Sequence, residues 1–250
     1  MIWGYDKKIW DSLGVKYPLK YPFESHIHTL FTGASGSGKS LSTLYELSEF
    51  LQDCYYHSIS PVIYICDFKN SEDFSFLKGY PLYYTGNACY EGVEKCYQQF
   101  TNIRQNGLST KNKRYLLLID EYAAACSFFQ MEDKLTKGKK AVTFMGMVSE
   151  LLMLGRSSLF GCWLTTQYAT ADLFRGSRIN FMLVISLGRQ VREQLNMLFS
   201  GEEIPQNRTY MPGEGLLLAD GYPLTEVKYP LVDLFQLKRL IRELLFRSIR

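Results

Sequence analysis

Residues Gly33-Ala34-Ser35-Gly36-Ser37-Gly38-Lys39-Ser40 form a complete G-x-x-x-x-G-K-[ST] phosphate-binding loop. Its glycines let consecutive backbone N–H groups wrap round a polyphosphate. Lys39 can reach the β- and γ-phosphates, and the Ser40 hydroxyl can take a Mg²⁺ position. The flanking residues suit the loop: His28-Thr29-Leu30-Phe31-Thr32 reads as a strand, and Leu41 to Leu47 reads as a helix. The expected nucleotide-binding set therefore runs from Gly33 to Leu41. The competing reading is a Gly/Ser-rich turn without a ligand.

The rest of the chain repeats this alternation. Pro61 to Cys66, Pro81 to Tyr84, Tyr115 to Ile119, Phe160 to Thr165 and Phe181 to Ser186 read as further strands. Continuous apolar runs are what strands buried on both faces require. Helices are expected from Ala88 to Arg104, Val142 to Leu154 and Asp233 to Ile249. Asp220-Gly221 marks a hairpin turn between Gly215–Ala219 and Leu224–Lys228. The pattern predicts an α/β fold with a mostly parallel sheet, helices on both faces and a C-terminal β-hairpin. With no repeat or linker in 250 residues, a single main domain is expected.

Composition narrows the function classes. A net charge of +3 is too mild to establish a nucleic-acid partner, so any basic surface must be local. The six cysteines form no C-x-x-C pair, which argues for free, buried thiols in a reducing compartment rather than zinc or disulfides. Met1 to Asp11 lacks the apolar stretch of a signal peptide, and no run approaches the roughly 20 residues of a membrane span. A cytoplasmic protein is expected.

Leu116 to Ile119 delivers Asp120-Glu121 to a strand's C-terminal end. Such a pair suits a Mg²⁺–nucleotide site, with Asp120 on the metal through water and Glu121 polarising the attacking water. Acidic residues also end strands simply to meet solvent. Gln167, after Leu164-Thr165-Thr166, is either a γ-phosphate sensor or a surface glutamine. Arg156, in Gly155-Arg156-Ser157, is either a helix C-cap or an arginine finger for a neighbouring subunit's γ-phosphate.

The order of these motifs resembles the motor domain of FtsK/SpoIIIE-type DNA translocases, within the FtsK–HerA group of P-loop ATPases. The resembling stretches are His26 to Ser40, Asp67-Phe68-Lys69, Leu116 to Tyr122, Leu154 to Gln167, Ile185 to Leu195 and the turn Pro212-Gly213-Glu214-Gly215. The resemblance implies a RecA-like fold that uses ATP and Mg²⁺. It assigns Lys39 and Ser40 to phosphate and metal, Asp120 and Glu121 to the acidic pair, Gln167 to the sensor and Arg156 to the finger in trans. Arg192 would be a basic position near the nucleotide and the subunit boundary. Departures are present: the family's D-P-K is Asp67-Phe68-Lys69, its A-T-Q is Thr165-Thr166-Gln167, and Gly188-Arg189 makes Arg189 a less secure equivalent. With no membrane anchor and no winged-helix domain expected, the chain resembles compact motors of mobile elements and viruses.

Three parts would make up the chain: an N-terminal extension (1–25), the motor domain (26–230) and a C-terminal amphipathic helix (231–250) on the core or a neighbouring subunit. Lys134, Lys137, Lys139 and Lys140 suggest either a channel loop touching DNA phosphates or a solvated surface loop. Lys111, Lys113 and Arg114 read as solvated. Leu234, Leu237, Ile241, Leu244, Leu245 and Ile249 recur at helical spacing, as on a core-packed or a membrane-surface helix. Tyr5, Tyr17, Tyr21, Trp3 and Trp10 could cover a neighbouring protomer or the adenine.

Three functions follow as expectations. The first is a homo-oligomeric, hexameric ring that moves double-stranded DNA for mobile-element transfer or genome packaging. The second is an ATP-switched module that recruits a relaxase, capsid or secretion-channel partner without threading DNA. The third, an ATPase driving protein export, shares every nucleotide motif.

Overall fold

The computed structural model describes residues 1–206 and 208–248. The chain opens with β1 (Ile2–Asp6), α1 (Lys7–Leu13) and β2 (Pro18–Lys20), then passes through β3 (His28–Gly33) and the phosphate loop into α2 (Lys39–Tyr56). Next come β4 (Ser60–Asp67), β5 (Tyr83–Thr85), α3 (Cys89–Gln105) and β6 (Lys113–Asp120). Two helices, α4 (Tyr122–Thr136) and α5 (Lys140–Leu154), precede β7 (Phe160–Thr166), α6 (Ala171–Phe174), β8 (Leu183–Leu187) and α7 (Arg192–Leu198). The hairpin β9 (Glu214–Ala219) and β10 (Thr225–Lys228) leads to α8 (Leu234–Ser248). Ile249, expected to end that helix, lies outside the described residues.

These strands join one sheet in the order β2-β1-β10-β9-β8-β3-β7-β6-β4-β5. The block from β8 to β5 is parallel throughout, and β9, β10, β1 and β2 extend it antiparallel. Every residue of β3 and β7 is buried, as strands covered on both faces must be. Helices α2 and α8 cover one face, where Leu237, Ile241 and Leu245 of α8 are buried with Leu44, Leu47 and Leu51 of α2. Helices α3, α4 and α5 cover the other through Phe100, Phe129 and Phe144. The fold is thus α/β, mostly parallel and covered on both faces, with the hairpin at its C-terminal side.

The first 25 residues do not stand apart from the sheet. Tyr5 and Asp6 of β1 pair with Lys228 and Val227 of β10. Trp3 is fully buried, its ring centroid 5.2 Å from that of Trp163. Nor is Arg114 solvated: it is 5% exposed, ion-paired with Glu24 and, at 2.6 Å, with Asp53. Local charge density misled there, because a guanidinium that finds two carboxylates on neighbouring elements can be buried.

The lysine cluster also differs from a long loop. Lys134 sits in the last turn of α4, only residues 137–139 separate the helices, and Lys140 begins α5. Asp133 fixes this turn by accepting hydrogen bonds from the backbone N–H groups of Lys140 (2.7 Å) and Ala141 (2.8 Å). Since α4 leaves the C-terminal end of β6 and α5 runs back to the start of β7, the two form a helical hairpin packed on the sheet face. Lys134, Lys137 and Lys139 are exposed near its tip, whereas Lys140 pairs with Glu132 at 3.0 Å. No helix among the described residues is long and apolar enough to cross a membrane.

Candidate active site

Parallel strands bring their C-terminal ends to one edge, where ligands of such sheets bind. There β3 gives way to the phosphate loop. Gly38 caps α2 in the left-handed conformation (φ 87°) without a side-chain hydrogen bond, so the first-turn N–H groups remain available to an anion. A Cβ on Gly38 would also lie 2.5 Å from the backbone nitrogen of Gly213. That nitrogen donates to the Ser37 carbonyl at 2.8 Å, and Tyr229 N donates to the Gly213 carbonyl at 2.8 Å. The late turn therefore braces the back of the phosphate loop. Glu214, beside it, is held by Lys7 at 3.3 Å and Lys228 at 3.1 Å, which ties α1 and β10 to the same brace.

Strand β7 lies between β3 and β6, so its C-terminal end separates the phosphate loop from the acidic pair. Thr165 on β7 links the two acids. Its hydroxyl donates to Asp120 Oδ1 at 2.7 Å and accepts the Glu121 backbone N–H at 2.9 Å. Glu121 occupies the left-handed region (φ 57°, ψ 51°), a conformation unusual for a non-glycine residue and common where a site fixes a side chain. Its Oε1 receives Lys39 Nζ at 3.0 Å and Lys69 Nζ at 2.9 Å. On β4, Asp67 stands in register with Asp120 and accepts from Ser71 N (2.8 Å) and the Tyr83 hydroxyl (3.0 Å), which fixes the turn carrying Lys69.

Burial dominates the acidic pair and is answered differently at each member. Asp120 is 4% exposed, and burial pushes its carboxyl up to about 6; Thr165 and Lys39 oppose that rise, while Glu121 and Asp67 add to it. Burial acts the same way on Glu121, but Lys39 and Lys69 outweigh it and hold that carboxyl below its ordinary value. One acid is thus short of positive charge and the other is supplied with it.

These walls enclose a cleft of about 480 Å³ lined by Ala34, Ser35, Gly36, Gly38, Lys39, Ser40 and Leu41 on the loop side. Asp120, Glu121 and Gln167 line it opposite, and Gly33 and Ser37 are buried beneath. Lys69 and Pro212, which belong to the resembling stretches but were given no site role, also line the cleft, together with Leu44, Ser71, Asp73, Val232 and Leu234, which no motif singled out. The Asp67-Phe68-Lys69 stretch marked Lys69 without a role; nothing local marks Val232 or Leu234 as cleft residues, which arrive by tertiary packing.

Other candidates lie elsewhere. Arg156 is exposed in a short helical turn (Gly155–Ser158) before β7, at the sheet edge opposite the cleft. Arg192 is exposed on the first turn of α7 and does not line the cleft. None of Trp3, Tyr5, Trp10, Tyr17 or Tyr21 lines it either, because β1 and β2 lie at the far antiparallel edge. The lysines of the α4–α5 hairpin are outside it as well.

The donor set fits a hard divalent cation. The Asp120 carboxylate and Ser40 hydroxyl are oxygen donors in one cleft, and a cation would offset the desolvation of Asp120. Among the described residues no group of three His, Cys, Asp or Glu side chains could enclose a metal. Mg²⁺ takes one or two protein groups and completes its shell with phosphate and water.

No protein-family model and no curated protein sequence matches the chain. Solved structures do resemble it. EssC (ATPases 2 and 3) from Geobacillus thermodenitrificans superposes with a TM-score of 0.71 at 16% identity, over 100% of this chain and 49% of that one. The pCW3 conjugation coupling protein TcpA, in its monomer form with ATPγS, gives a TM-score of 0.67 at 18% identity, covering 97% of this chain and 74% of TcpA. The chain shares its fold with these ATPase structures. The genome packaging NTPase B204 of Sulfolobus turreted icosahedral virus 2, in complex with ATPγS, matches 83% of this chain and 99% of its own length (TM-score 0.53, 17% identity). This chain spans about half the length of the EssC structure and nearly all of B204.

Proposed function

We propose that this chain is a Mg²⁺-dependent ATPase motor that works as a homo-oligomeric ring, a hexamer on the family pattern, and moves double-stranded DNA. The observation that carries the proposal is the division of the site. Lys39, Ser40, Asp120, Glu121 and Gln167 share one cleft, whereas Arg156 is exposed on the opposite edge, with no ion pair among the described residues. A cleft completed by the next subunit's arginine accounts for both halves. The likeness to a coupling protein and a packaging NTPase supports DNA as the moved polymer.

In this reading the triphosphate occupies the N–H groups of Gly33 to Leu41, and Lys39 exchanges Glu121 for the β- and γ-phosphates. Ser40, and Asp120 through water, would hold Mg²⁺, which would supply positive charge beside the transferred phosphoryl group. Glu121 then orients the attacking water, and Gln167, at the end of β7, reports on the γ-phosphate. Arg156 of the neighbour stabilises the charge that develops there. The lysines near the α4–α5 tip contact DNA phosphates without reading sequence.

The test is ATP hydrolysis with and without linear duplex DNA, followed by displacement of a triplex-forming strand. The proposal expects DNA-stimulated turnover, directional displacement, and loss of both in Lys39→Ala and Glu121→Gln. Hydrolysis without displacement would instead favour an assembly switch or a protein-moving ATPase.

A further inference from the structure

We infer that Lys69 is a positioning residue that parks Glu121 and so sets the rate of hydrolysis through it. The inference rests on the ATPase reading above. Lys39 and Lys69 donate to the same carboxylate oxygen, Glu121 Oε1, at 3.0 and 2.9 Å. The two lysines differ in what nucleotide does to them. Phosphates claim Lys39, which lies on the loop, but Lys69 stands half-exposed at the mouth of the cleft and keeps its hold. A carboxylate oxygen occupied by an ammonium is a poorer acceptor for the proton of an attacking water.

The loop that carries Lys69 is built rather than slack. Asp67 closes its turn through Ser71 N and the Tyr83 hydroxyl. Phe68 packs on Phe128 and Phe129 of α4, with ring centroids 5.6 and 6.0 Å apart. Farther along, Lys238 of α8 donates to the Glu72 carbonyl at 3.2 Å. Glu121 immediately precedes α4, so the parked acid and the loop that parks it both rest on the helix that leads to Lys134, Lys137 and Lys139. A polymer drawn against the tip of the hairpin would shift Phe68 and withdraw Lys69 from Glu121. Hydrolysis would then rise only when there is something to move.

The experiment uses the full chain with Lys69→Met, Lys69→Gln and Lys69→Arg, assayed for ATP turnover with and without duplex DNA. Both neutral variants should raise DNA-free kcat about three- to fivefold, the scale of one partly exposed ion pair, with KM for ATP unchanged. Stimulation by DNA should shrink by the same factor, and Lys69→Arg should restore the low rate. A fall in kcat or a rise in KM in the neutral variants would overturn the inference, because Lys69 would then act on the phosphates. An unchanged DNA-free rate would overturn it equally. Glu121→Gln and Lys39→Ala separate the two readings: if both hydrolyse ATP at the parent's rate, the cleft is not the site of hydrolysis and the reading beneath the inference fails. If both are inactive while Lys69→Met stays at the parent rate, only the parking role fails.

Discussion

Thr165 Oγ1 donates a 2.7 Å hydrogen bond to Asp120 Oδ1, and the same oxygen accepts the Glu121 N–H at 2.9 Å. One hydroxyl on the strand between the phosphate loop and the acidic pair therefore orients the Asp120 carboxylate and pins the strained backbone of its neighbour. Any motion of β7 relative to β6 is felt by both acids.

Thr165→Val keeps the shape and removes the hydroxyl, leaving a buried carboxylate oxygen and a buried N–H without their partner. The expected cost is about 1–3 kcal/mol of stability, with ATP turnover reduced at least about tenfold, as each 1.4 kcal/mol lost in the transition state implies. Thr165→Ser should recover most of both. Chemical denaturation and steady-state kinetics on the same preparations check the pair of effects.

Asp120 makes the empty protein's stability depend on pH in a definite sense. Its folded value of about 6 stands above the ordinary 3.8. Between those values the folded protein binds the proton more tightly than the unfolded chain does. Stability therefore falls as pH rises from about 4 to about 6, by on the order of 2–3 kcal/mol, and stays at the lower level above that. Asp120→Asn cannot ionise, so it should stabilise the nucleotide-free protein at pH 8 and not at pH 4, while abolishing Mg²⁺-dependent hydrolysis. Glu46 on α2, fully buried and also raised well above its ordinary value, contributes the same sign in both proteins and cancels in the comparison. Thermal melts of the two across pH 4–8 are the measurement.

Arg114 holds Glu24 and Asp53 together beneath the aromatic ring of Phe23, 5.2 Å from the guanidinium. Arg114→Met should cost about 1–3 kcal/mol, since it takes the nearer cation from half-buried Asp53 and leaves it only the N-terminal ammonium at 3.6 Å. Nucleotide affinity should not change, because Arg114 lies at the start of β6 and the cleft at its end. Urea titration and a fluorescent-nucleotide binding assay distinguish the two outcomes.

The parts legible in the sequence were those that local chemistry dictates. The strand–loop–helix around Lys39 is encoded by glycine spacing, and β6 by an unbroken apolar run ending in Asp120-Glu121. Long-range pairing hid the rest. Helix α4 begins with Tyr122, directly after an acidic pair that looks like a strand end, and its lysine-rich close suggested a loop until Asp133 supplied the cap for α5. Ile2 to Asp6 became a strand only because β10 offered an edge, and β10 lies more than two hundred residues away in sequence. Thr165 read as part of a motif, yet its task depends on the neighbouring strand, which no spacing within its own segment specifies. Lys69 stood in a resembling stretch with no role attached, and Val232 and Leu234 reach the cleft from the entry to α8, where composition carries no sign of a ligand.

The claim that two subunits share each catalytic site is tested most directly by mixing two inactive proteins. Lys39→Ala keeps the finger and loses the phosphate contact; Arg156→Ala keeps the loop and loses the finger. Alone, each should bind into assemblies and fail to hydrolyse ATP. Co-assembled, some clefts pair an intact Lys39 with an intact Arg156 from the adjacent subunit, and ATP hydrolysis should return. A mixture that stays inactive despite co-assembly, or an Arg156→Ala protein that hydrolyses ATP normally by itself, would contradict the shared site.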